Sequence, residues 1–231
     1  MLSSDSPLKR IPANLAKRQV LFLDGIRHAA EITMLSYSRL TDNLLKLAFR
    51  DESIPEQSIT SAFLDAWTTV DSIDRFRALW KLQPNSDSIQ AEFSPATVEE
   101  RLRDVRNVRN VADHLAQRVD YILSKSGTAL GVLSWVAVKD RESSTGRSCL
   151  LVPGSIDTTT QKLPMPSGNV VFPVGYVQLK AGEHIANLTD AFYFMAAVIS
   201  FAEESLDAPF SKAGGNVLGS DMIMQGDFSF S

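Results

Sequence analysis

Two side chains in this sequence have the types and spacing for phosphoryl chemistry: Arg109 and His114, with Asn110 directly after the arginine. A guanidinium stays charged across the physiological range, and an imidazole exchanges a proton near neutrality. Together they can stabilise charge building on a phosphoryl group and carry the proton of an attacking or leaving oxygen. Asn110 lies four residues before His114, so on a helix both share a face, where the amide can hold the imidazole or bond a phosphate. Arg106, Asn110, His114, Gln117 and Tyr121 follow at spacings of four, three and four, one polar stripe in which Arg106, Gln117 and Tyr121 are candidate substrate contacts. Arg109 and His114 stand roughly 140° apart around a helix and flank that stripe. Two such helices meeting across a dimer axis would bring two arginines and two histidines to one cleft.

The element that must hold these residues is the stretch 93–125, read as one long helix. Ser94 and Pro95 supply a cap and a first-turn proline, Glu99 and Glu100 follow near its positive end, and no glycine interrupts before Gly127. Its apolar row runs Val98, Leu102, Val105, then Ala112, Ala116, Val119 and Leu123, and Arg109 occupies the gap. An arginine in such a row must be paired, reach out to solvent or line a polar cleft. Asp113, four residues on, is a ready partner and gives the plain alternative of a surface ion pair.

Two further amphipathic helices precede it, over 14–49 and from about 55 to 82, with Gly25 and the 37–38 region of the first as candidate bends. Asp24, Arg27, His28 and Glu31 of the first helix offer a carboxylate that could orient Arg109 or His114, although surface positions suit them better. Trp67 and Trp80 read as core. Three long helices joined by short loops imply an antiparallel bundle.

Past Gly127 the pattern becomes strand-like at 130–139, 148–152 and 170–179, with Pro173 and Gly175 marking an edge or a bulge. A last helix should begin between His184 and Leu188, with Asn187 or Thr189 as cap and His184 as a capping or surface residue, and run to about Leu206. The fold class is thus mainly α (α+β): a long-helix antiparallel bundle with a small antiparallel sheet, inserted at about 128–180, before the last helix. Residues 1–206 make one domain, and 207–231 a tail.

Composition narrows the function. With 44% hydrophobic and 22% charged residues and a net charge of −4, the chain is an ordinary globular protein rather than a wholesale nucleic-acid coat. Between 101 and 118, however, five arginines face two aspartates. The single Cys149 forms no internal disulfide, and the three histidines lack metal-ligand spacing, so neither metal nor cofactor is expected. Phosphate-cradling glycine loops and a serine-hydrolase elbow are absent from the sequence, as are zinc fingers. No signal segment is recognisable, and the most apolar run, 191–202, is shorter than the roughly twenty residues that span a bilayer. A cytoplasmic protein without membrane contact is expected.

The Arg109-Asn110 pair followed by His114, on a late helix of an α-helical bundle, resembles the HEPN family, the higher eukaryote and prokaryote nucleotide-binding domains. Their usual motif is an arginine, often followed by Asn, Asp or His, with a histidine after four to six intervening residues. The resemblance covers about 14–125. It implies a metal-independent endoribonuclease, acting as a homodimer whose two motifs form one composite site, and often serving as a toxin or antiviral-defence effector with an antitoxin or defence partner. RNA would be cut by its own 2′-hydroxyl, with His114 as general acid or base and Arg109 stabilising the phosphoryl oxygens. The other class of reading is a non-catalytic α-helical dimerisation or partner-binding module in which Arg109 fixes register.

Overall fold

In α1 (Lys17–Ala48), apolar residues recur at helical spacing for 32 residues, and the helix runs through the candidate bends without a break. Gly25 serves packing instead: a Cβ there would sit 2.8 Å from Leu79 Cδ1, so glycine lets the next helix approach closely. That helix, α2 (Glu56–Trp80), starts after Pro55 and lies antiparallel to α1. The Asn43 amide donates to the Ser58 carbonyl at 2.7 Å near one end, and the Phe22 and Trp80 rings lie 5.9 Å apart near the other. Between them Leu40, Leu44, Ile73 and Phe76 are fully buried, each contributing about 1.5–3 kcal/mol of apolar transfer. The computed structural model describes residues 2–50, 55–83, 91–114, 117, 120, 128–140, 142, 145–153, 162–165, 171–213, 221 and 223–227.

Hydroxyl pairs also cross the α1–α2 seam. Thr33 donates to Ser72 and Ser36 meets Thr69, at 2.8 and 2.9 Å, all four residues buried. Each hydroxyl also lies within hydrogen-bond distance of a carbonyl of its own helix, so the single proton of each has an acceptor either way.

Over its described residues the stretch read as one helix is broken into two, and its expected continuation through Ala116, Val119 and Leu123 lies outside them. α3 (Pro95–Arg101) is capped by Ser94, whose side chain accepts from the Thr97 N–H. Leu102 then leaves helical geometry at φ −104° and ψ 10°, and α4 (Arg103–Asp113) follows. Leucine and arginine favour helix, so local propensity does not make this break. The joint instead accompanies complete burial of Leu102, and Val98, Leu102 and Val105 still face inward as their spacing predicted. α4 ends earlier than expected, with His114 as its C-cap.

The sheet has the order β2-β1-β3-β4 and is antiparallel throughout: β1 (Val132–Val138), β2 (Gly146–Leu151), β3 (Val174–Ala181) and β4 (His184–Asn187). Two devices shape it. At the entry to β1, Gly131 has φ +78° and a Cβ there would meet the Lys180 carbonyl at 2.5 Å. Beside Gly175 the β1–β3 register shifts, and Tyr176 takes φ 51°, a left-handed backbone that non-glycine residues adopt only under tertiary constraint. The bulge takes the Val177 N–H out of the ladder, and it donates instead to Thr189 Oγ1 at 3.0 Å. The Tyr37 hydroxyl donates to the same oxygen at 2.9 Å, tying α1 to the sheet; burial, against that bond, pushes the Tyr37 phenol well above its ordinary value.

β4 was not expected. His184 belongs to it, paired with Ala181 across a two-residue turn, rather than capping a helix. The last helix, α5 (Leu188–Ala213), is capped by Asn187, whose side chain accepts from the Asp190 N–H at 3.2 Å. It runs through Pro209, so 207–213, read as tail, is helical. Among the described residues, five α-helices and a small antiparallel sheet before the last of them make the mainly α, α+β architecture. No helix among the described residues is long and apolar enough to cross a membrane.

Candidate functional site

The apolar row of α4 buries Val105, Val108 and Val111 and turns the opposite side to solvent. Arg109, at the edge of that buried face, is 39% exposed and lies over α2. Its Nε donates to Asp71 Oδ1 and its Nη1 to Asp74 Oδ2, both at 3.0 Å. Nη2 stands 3.7 Å from Asp113, the partner visible in the sequence. Burial alone would lower the Arg109 pKa, but these carboxylates raise it above its ordinary value.

Asp74 continues the network inward. Its Oδ1 accepts from Arg77 Nε at 2.7 Å, and both side chains are buried, at 3% and 6% exposure. Arg77 also bonds Glu99 of α3, which in turn holds Lys81 at 2.7 Å and Arg106 at 2.9 Å. Burial pushes the Glu99 carboxyl up, yet the bonds from Lys81 and Arg77 outweigh it and hold the group at about 2. Asp71, Asp74, Asp113 and Glu99 thus balance Arg109, Arg77, Lys81 and Arg106 in one connected web joining α2, α3 and α4.

The residues of the expected stripe are only partly gathered. Arg106 is exposed but committed to Glu99, and Asn110 is half-buried on α4. His114 is exposed at the C-cap of α4, where the backbone leaves helical geometry. Gln117 is exposed and its N–H donates to the His114 carbonyl at 3.0 Å. Tyr121 lies outside the described residues.

The carboxylates that orient Arg109 come from α2, not from α1. Asp24, Arg27 and His28 form a separate cluster with Asp221: Arg27 Nη2 bonds Asp221 at 2.7 Å, Asp24 at 2.9 Å and the His28 Nε2 acceptor at 2.6 Å. Asp24, His28 and Asp221 are the grouping among the described residues whose spacing could suit a metal ion, and the Arg27 guanidinium already bonds all three. Glu31 pairs with Lys9 at 3.0 Å. A signal for Asp74 did exist. Asp74 lies four residues after Val70 and beside Ile73 on the buried side of α2, where an acid needs a cation as Arg109 in its row needs an anion.

Against known proteins, the chain matches no family, no curated protein and no solved structure.

Proposed function

We propose that the protein is a HEPN-type endoribonuclease that cleaves RNA by 2′-hydroxyl attack, without a metal, at a composite site formed by two copies of the chain. The observation that supports this is the course of the Arg109 side chain. Its guanidinium reaches along the last turn of α4 toward Asp113, immediately before His114, so the charge and the exposed imidazole are presented at the same helix end. The α2 carboxylates fix the guanidinium in place before substrate arrives, so little reorganisation is needed when charge develops on a phosphoryl oxygen.

In this reading His114 takes the proton of the 2′-hydroxyl or delivers one to the departing 5′-oxygen, the oxygen attacks the adjacent phosphorus, and the product carries a 2′,3′-cyclic phosphate. The second copy supplies the complementary acid or base. Asn110, Arg106, Gln117 and Tyr121 contact the strand. DNA lacks the nucleophile and is spared. A toxin or antiviral effector in the cytoplasm, restrained by an antitoxin or other defence partner, is the setting such an activity fits.

The test is incubation of the protein and His114→Ala with a structured RNA in EDTA, after scattering shows the same fold and association state. The expected result is cleavage by the parent and a loss of about 10²–10⁴-fold in the variant. Equal products from both, or none from the parent, would count against the reading. One observation favours the second reading, a non-catalytic dimerisation or docking module: two of the three Arg109 ion pairs bind it to α2, as a purely architectural tie between helices requires. That reading expects Arg109→Ala to lower stability with no RNA product from any variant.

A further inference from the structure

Where the start of α1, the end of α2 and the second half of α5 meet, they surround a pocket of about 510 Å³, within the range of small-ligand sites. Phe22, Ile26, Trp80 and Ala202 form its buried floor, and the exposed Ser205 and Pro209 stand at its mouth. Pro209 has no N–H for the Ser205 carbonyl, so the bonding ladder of α5 is interrupted where the helix passes the pocket. None of the described lining residues carries an ionisable side chain. The rings among them are already engaged: Phe22 lies 5.9 Å from Trp80, which stacks on Phe76, and Phe201 stacks on Phe93. They offer apolar contact rather than an open slot for a planar group.

Gln83, just past the end of α2, is the polar exception. Its Nε2 is buried and has no hydrogen-bond partner among the described residues. The other amide in the lining, Gln19, is engaged, its Oε1 accepting from the Ala16 N–H at 3.1 Å. An unbonded buried donor carries a desolvation penalty that an acceptor would relieve. The Gln83 amide turns about a terminal bond without sharp minima, so it can present that N–H to an acceptor inside the pocket.

We infer that this pocket binds a neutral, largely apolar small molecule with a carbonyl acceptor, an acyl ester or ketone of medium chain length, whose oxygen takes the Gln83 N–H. The inference is independent of the ribonuclease reading, since Asp71 stands nine residues before Trp80 on α2, roughly 13 Å of rise. Charge decides the class. An ionised head would be buried beside no cation, which disfavours nucleotides, phosphates and free fatty acids. The unbonded N–H decides the functional group, because a hydrocarbon fills the same space and leaves it unsatisfied. A protein segment is disfavoured because its backbone would bring a donor and an acceptor per residue to a lining that is almost wholly apolar.

Titration of the full chain with prodan, a neutral naphthyl ketone whose emission reports polarity and hydrogen bonding, tests the site. Prodan should bind with blue-shifted emission, and methyl octanoate should displace it. Octanoate, ionised at neutral pH, should bind more weakly than its ester by about tenfold or more. Gln83→Met keeps the length of the side chain and removes the donor. It should weaken methyl octanoate about threefold to tenfold and move bound prodan further to the blue, with the melting temperature of the free protein no lower. Ser205→Trp, at an exposed position, should weaken both ligands about tenfold or more by filling the mouth. Absence of binding would overturn the proposal, as would octanoate binding as tightly as its ester, or Gln83→Met and Ser205→Trp both binding like the parent. Displacement of prodan by a peptide of residues 221–231 at lower concentration than the ester would overturn it in favour of a protein occupant.

Discussion

α2 is joined to its two neighbours by different chemistry. Toward α1 it offers hydroxyls, Ser72 to Thr33 and Thr69 to Ser36, each bond closed within a few ångströms by a carbonyl of its own helix. Arg39 and Asp65 add an ion pair at 3.3 Å there. Toward α3 and α4 it offers Asp71, Asp74 and Arg77, and the bonds run on through shared carboxylates to Glu99, Arg106 and Arg109. Loss of a hydroxyl pair is a local event, because its remaining partner keeps an acceptor. Loss of a shared carboxylate leaves two cations facing each other, and it carries that loss to the residue proposed to do chemistry. The bundle and its candidate site are thus stabilised by chemistry with different dependence on pH and salt.

The largest break should come at Asp74. Asp74→Ala removes the more buried of the two carboxylates bonded to Arg77, leaving only the half-buried Glu99, and one of the two close anchors of Arg109. Denaturant unfolding should show a cost of about 3–5 kcal/mol, the usual penalty for leaving a buried charge unpaired. A cost below about 1 kcal/mol would mean that Glu99 alone satisfies Arg77, and that the web is less connected than its distances indicate.

Next is acid, which should remove the contribution of Glu99 on the α3–α4 side of α2 and leave the hydroxyl pairs of the α1 side unchanged. Glu99 is held at about 2, against an ordinary 4.5. A carboxyl depressed by folding contributes stability that is fully present above its unfolded pKa and is lost as pH falls from about 4.5 toward 2. Comparing the protein with Glu99→Gln isolates this group from the other acids. The variant should be less stable by roughly 1–2 kcal/mol at pH 6, allowing for solvent screening, and the gap should shrink steadily below about pH 4.5 and close only as the pH falls through the folded value of about 2. A gap that stays constant with pH would assign the role of Glu99 to its shape rather than its charge.

This division explains which parts were legible in the sequence. That Arg109 needed a partner followed from its place in an apolar row, and Asp113 was within reach by spacing. The dominant partners, Asp71 and Asp74, lie 38 and 35 residues earlier and become neighbours only when α2 packs on α4. The bundle and sheet were readable because apolar periodicity is a property of each segment alone. The break at Leu102 was not, since the residues around it favour helix and carry no local signal for it. Nor was the end of α4 at Asp113, with His114 as its C-cap, since a helix end without glycine or proline carries little signal. β4 is four residues long, and its best sign was the Gly182-Glu183 turn, with Gly182 at φ 57°, as tight hairpins favour.

The smallest effect sharpens the contrast from the other side. Ser36→Ala removes a hydroxyl that lies 2.9 Å from Thr69 and donates to the Thr33 carbonyl. Thr69 still donates to the Asp65 carbonyl at 2.7 Å, so no group is left without a bond, and the cost should be about 1 kcal/mol. Because no charge is involved, that cost should be the same at pH 6 and pH 3, and unchanged by molar salt. Combined with Glu99→Gln it should add within about 0.5 kcal/mol, as separated sites do. If instead the two substitutions reinforced each other, α2 would be transmitting strain from one seam to the other. Arg109 would then be positioned by the packing of the whole bundle rather than by the carboxylates beside it, and variants on the α1 side would be expected to alter cleavage as well as stability.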